Sequence, residues 1–169
     1  MSTLTLPFAA LGALLAALLE TSVAPELVIG GAQVDLVLAL AVVAAMAMGI
    51  EDGLVWALLG GLMLDMLIPG RPIGATTLSL LLVVGVAALA VRLPGPRRIL
   101  IPLAVFALTW LFHALLLGVM VLTEGVVLSG FRPTVVLFAA ILNTVVAVPA
   151  VLLLAAIERR FGATERADW

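Results

Sequence analysis

Cysteine is absent, which excludes a disulfide framework, a thiolate nucleophile and a thiolate metal site. Lysine is absent as well, and all eight cationic residues are arginines. The glycines at Gly60-Gly61 therefore cannot belong to a phosphate loop of the Gly-x-x-x-x-Gly-Lys kind. Tyrosine is missing, aromatics reach only 5% and charged residues 11%, against about 25% charged in a soluble domain. A formal net charge of −2 offers no basic field to nucleic acid. Met1-Ser2-Thr3 lacks the cationic stretch of a secretory leader, so the first apolar run reads as a retained span.

What the chain has instead is apolar side chains: 65% of its 169 residues are hydrophobic and the mean hydropathy is +1.38. That leaves too little polar surface to cover a globule in water, and the length suits one domain. A spanning helix needs about 20 apolar residues. Six apolar runs occur, at 4–23, 34–48, 54–68, 75–93, 99–122 and 135–157, followed by a polar tail at 158–169. Turn-forming residues separate them: Pro25 with Gly30-Gly31, Gly49 to Gly53, Pro69-Gly70-Arg71-Pro72, Pro94 to Arg98, and Thr123 to Pro133. The expectation is an all-α membrane protein of six transmembrane helices. Runs two and three are short enough for a re-entrant hairpin, but that would put Glu51 and Asp52 deep in lipid at about 2.5–3.5 kcal/mol each. Two short spans with both carboxylates in water are preferred.

Arginine placement sets the orientation. With six spans, Arg92, Arg97, Arg98, Arg159, Arg160 and Arg166 share the side of both termini, and Arg71 and Arg132 lie opposite. Both termini are thus expected in the cytoplasm, in a multi-pass membrane protein.

Polar residues within spans are costly and therefore informative. Asp65 ends an i+4 stripe of Gly53, Ala57 and Gly61 on run three, a face that lets another helix approach closely. Two readings stand side by side. In one, Asp65 reaches the exterior headgroups or pairs with Arg71 across the turn; in the other it binds a partner or ligand. Asp35 opens run two, where a carboxylate is stabilised by the helix N-terminus. His113 lies nine residues before Leu122 and Asn143 eight residues after Val135, so both sit roughly 12–14 Å inside the outer boundary. Equal depth allows an interhelical hydrogen bond; a proton relay is the functional alternative, without a visible intramembrane carboxylate partner. Ala9, Ala13 and Ala17 form a second small-residue face, and Pro149 is expected to kink run six. Glu20 has nothing visibly arranged around it. No nucleophile–base set, HExxH motif or paired-carboxylate cleft appears, so neither catalysis nor a cofactor or metal is expected.

The middle of the chain has a more specific pattern. Val34-Asp35-Leu36 is followed by Gly49, Gly53, Gly61-Leu62-Met63-Leu64-Asp65-Met66-Leu67, then Pro72-Ile73-Gly74 and Leu78. Over about residues 34–80 this resembles the rod shape-determining protein MreD family, with Val34 where Pro is usual and Ile73 where Leu is usual. The resemblance implies a non-enzymatic membrane component of the bacterial cell-elongation machinery, acting in peptidoglycan synthesis. It implies association with the bitopic protein MreC, beside RodA, a penicillin-binding transpeptidase and the MreB filament. Asp35, Gly53, Ala57, Gly61, Asp65 and Gly74 are the helix-packing or partner-interaction candidates. The implied fold is similar to the six-helix substrate-binding subunits of energy-coupling-factor vitamin transporters. That supplies an alternative function, small-ligand import, in which the Ala9, Ala13, Ala17 face meets a transporter scaffold.

Overall fold

The computed structural model describes residues 5–92, 96–125 and 132–161. Met1 to Leu4, Leu93, the loop around Ser129 and the tail beyond Phe161 lie outside the described residues. Six α-helices follow one another: α1 (Thr5–Ser22), α2 (Leu36–Ala47), α3 (Ile50–Leu67), α4 (Ala75–Ala90), α5 (Arg97–Glu124) and α6 (Pro133–Phe161). A single 3-10 turn covers Ala24–Glu26, and no strand occurs among the described residues.

The plan follows from the composition of α2. Its twelve residues, Leu36–Ala47, are all apolar, and a helix that is apolar all round belongs in an interior. It touches all five other helices, which form an arc in the order α1, α3, α4, α5, α6. Nine of its residues are buried. The outer faces of the arc carry exposed leucines, among them Leu15 (60%), Leu103 (61%) and Leu153 (63%). An apolar core inside an apolar shell is what a lipid surround requires and what water forbids.

Among the described residues three stretches are long and apolar enough to cross a membrane: Ala9–Glu26, Arg97–Thr123 and Pro133–Ile157. By contrast α2 and α4 are short, and α3 carries Glu51, Asp52 and Asp65. Whether α3 crosses therefore depends on what shields its carboxylates.

Small residues set the contacts of α3. A Cβ on Gly53 would lie 2.4 Å from Ala45 Cβ of α2, and one on Gly61 would lie 2.7 Å from Thr77 Cα of α4. Ala57 between them is fully buried. The stripe is thus spent on packing within the chain, and it presents no open groove to a partner. The same holds for Ala9, Ala13 and Ala17, which are buried inside the bundle. The expectation that this alanine face meets a transporter scaffold is corrected: α1 shows Leu11, Leu15 and Leu18 to its surroundings instead. A second correction concerns the α2–α3 turn. Glu51 is exposed as expected, but Asp52 is buried, and its Oδ1 has no hydrogen-bond partner among the described residues. α6 continues through Pro149.

Candidate functional site

The polar chemistry gathers at the end of the bundle where α1 and α3 finish and α2 and α4 begin. The first four N–H groups of a helix have no partner within it. At α4 the N-cap is Gly74, at φ 94°, which has no side chain to offer. Asp65 of α3 supplies the missing acceptors. Its Oδ2 accepts from Gly74 N–H (3.0 Å), Thr77 N–H (3.1 Å) and Thr77 Oγ1 (2.7 Å), and its Oδ1 accepts from Thr76 N–H (2.9 Å). The remaining donor, Ala75 N–H, goes to Pro72 O at 3.0 Å. Every free donor of this helix start is therefore satisfied, and the carboxylate sits at the positive end of the α4 dipole. Asp65 is buried. This corrects both halves of its structural reading: it does not reach headgroups, and Arg71 Nη1 instead donates to Thr76 Oγ1 at 3.4 Å.

The start of α2 is capped just as indirectly. Asp35 occupies the N-cap position, but its side chain makes no capping bond to its own helix. Glu20 of α1 does so instead, accepting from Val37 N–H at 2.8 Å. Asp35 turns outward to α6. Its N–H donates to Asn143 Oδ1 (2.8 Å), and its Oδ2 accepts from Asn143 Nδ2 (3.0 Å). Asn143 Nδ2 also reaches Thr109 Oγ1 of α5 at 3.2 Å, and that hydroxyl donates back to Val105 O. The buried amide thereby joins α2, α5 and α6.

His113 and Asn143 do lie at one level, but no hydrogen bond joins them. His113 Nδ1 is 3.0 Å from Thr109 O, which can only accept, so Nδ1 carries a proton. Its Nε2 faces Asp35 Oδ2 at 3.9 Å, beyond hydrogen-bond range. The histidine therefore has the neighbouring carboxylate that the sequence did not disclose. Glu20, Thr76, Thr77 and Thr109 were also missed as members of the site. An acid three residues from the end of an apolar helix was the one available signal for Glu20.

Between these two joints lies a cavity of about 270 Å³. Its polar walls come from Glu20, Thr21, Gln33, Asp35 and Arg71, and so from three chain segments. Two carboxylates and one guanidinium face a common space. The site can hold polar groups of both signs; among the described residues no three metal-ligating side chains converge.

The fold and the site define an all-helical protein with membrane-length apolar helices and a buried polar seam at one end. No family model, curated protein or solved structure matches the chain.

Proposed function

We propose that this chain is a non-catalytic, multi-pass scaffold of the bacterial cell-elongation machinery, of the MreD type. In this reading all six helices cross the inner membrane, with both termini in the cytoplasm, and the protein binds MreC. RodA, a penicillin-binding transpeptidase and MreB are further partners. The observation that carries the reading is how the residues of the resemblance are used. Asp35 anchors α2 to α6, Gly53 and Gly61 set the approach of α2 and α4 to α3, and Asp65 with Gly74 builds the start of α4. Each has a stated physical task, and none is left over for catalysis. Six spans are compatible with the carboxylates of α3, because Asp65 meets four protein donors and Glu51 and Asp52 both lie in the first turn, at the helix end.

The test is deletion in the rod-shaped host, followed by imaging of cell outline and wall insertion. Rounded cells with dispersed insertion are expected. Normal rods, with no paralogue present, would overturn the proposal.

One observation favours small-ligand uptake as a second reading, the polar-walled cavity at a bundle end. Affinity purification from native membranes separates the two. A bitopic coiled-coil partner supports the elongation role, and an ATPase-containing complex supports import.

A further inference from the structure

We infer that the cavity walled by Glu20, Asp35 and Arg71 is a binding site for the zwitterionic headgroup of an aminophospholipid, an ammonium joined to a phosphate. The inference is independent of the elongation role.

The cavity lies where α1 and α3 end, beside the loops that lead into α2 and α4. Its walls carry both signs of charge. Glu20 accepts from Val37 N–H with Leu36 N–H also beside it, and Asp35 has Oδ2 committed to Asn143, so neither carboxylate has all its lone pairs taken. A primary ammonium brings three N–H donors and a positive charge, matching two carboxylates that face the same space. Arg71 makes one long contact, 3.4 Å to Thr76 Oγ1, which leaves most of its five donors for an anion. Guanidinium and phosphate are a strong pair because two parallel hydrogen bonds form at once. Pro25, Leu67 and Ile68 complete the wall and offer an apolar edge to the glycerol and upper acyl carbons. Nearby, Ile29 and Ala32 exchange backbone hydrogen bonds of 3.0 Å, and the turn leaves Leu27, Val28 and Ile29 exposed. Exposed apolar residues beside a charged cavity suit the headgroup–acyl boundary. At about 270 Å³ the space is about nine times a water's share of roughly 30 Å³, room for a headgroup of that many heavy atoms.

The experiment is native mass spectrometry of the full chain after exchange into mixed micelles. These hold equal amounts of phosphatidylethanolamine, phosphatidylglycerol and phosphatidylcholine. Phosphatidylethanolamine should be retained over the other two, since phosphatidylglycerol lacks the ammonium and phosphatidylcholine lacks its N–H donors. Glu20→Gln keeps an oxygen for Val37 N–H, so the fold survives, and it should lower that preference roughly tenfold, the equivalent of about 1.4 kcal/mol. Arg71→Gln should lower retention of phosphatidylethanolamine and leave the thermal midpoint without lipid unchanged. Equal retention of the three lipids, or a preference that survives both variants, overturns the inference. So does stabilisation by soluble phosphoethanolamine without lipid retention, which would assign the cavity to a soluble zwitterion.

Discussion

Asp65 shows why a buried carboxylate is worth its desolvation. Four donors converge on its two oxygens, and three of them are backbone N–H groups that no other side chain reaches. Asp65→Asn keeps the shape but exchanges one accepting oxygen for an NH₂ group, which then faces a donor. Buried donors without acceptors cost about 1–3 kcal/mol each, and hydrogen bonds to charged groups contribute about 1.5–3 kcal/mol. Interhelical hydrogen bonds in membranes average a lower value, near 0.6 kcal/mol, but those are mostly between neutral side chains. A loss of about 2–3 kcal/mol is expected for Asp65→Asn, read as a lowered thermal midpoint in detergent. An unchanged midpoint would mean that water satisfies this helix start. The importance of Asp65 was legible in the sequence because charge is expensive in lipid. Its partners were not, because backbone N–H groups are carried by every residue and leave no mark in the sequence. Glu20 escaped notice for the same reason, since its partner is the N–H of Val37, 17 residues away.

At the scale of the helices, each of the six apolar runs coincides with a helix. But α3 begins at Ile50 rather than at 54, and so takes Glu51 and Asp52 into its first turn. The 3-10 turn at Ala24–Glu26 left no apolar mark. Relative height was harder to read. Asn143 lies ten residues into α6, from Pro133 to Asn143, and so about 15 Å below its start. There it meets the first residues of α2. α2 is thus recessed, and apolar runs carry no information on the relative height of helices. Asp35 consequently meets Asn143 and faces His113, far from it in the sequence. Close helix approach gives a sharp contrast between two glycines. On Gly61 a methyl group would meet Thr77 Cα at 2.7 Å, whereas on Gly85 it would meet nothing within 4 Å. Gly61→Ala should cost about 1–3 kcal/mol through overpacking. Gly85→Ala should gain up to about 1 kcal/mol from helix propensity. Paired melting curves test this, and equal shifts would show that the α3–α4 contact yields freely.

For the molecule as a whole, orientation is the property that arginine placement addresses. Reporter fusions at Glu51 and Pro96 should report the cytoplasm, and fusions at Gly70 and Ser129 the exterior. An exterior signal at Pro96 would remove the six-span arrangement. The bond between Asp35 and Asn143 adds a dimension of time, because its partners are 108 residues apart. At about 5–20 residues per second, the ribosome delivers Asn143 roughly 5–20 s after Asp35. Throughout that interval the N–H of Asp35, the N-cap of the twelve-residue α2, waits without its Asn143 acceptor. A nascent chain cut at Arg132 should therefore stay exposed to membrane proteases and decay quickly in a pulse-chase, while the full chain persists. Equal lifetimes would show that the first five helices close without the sixth.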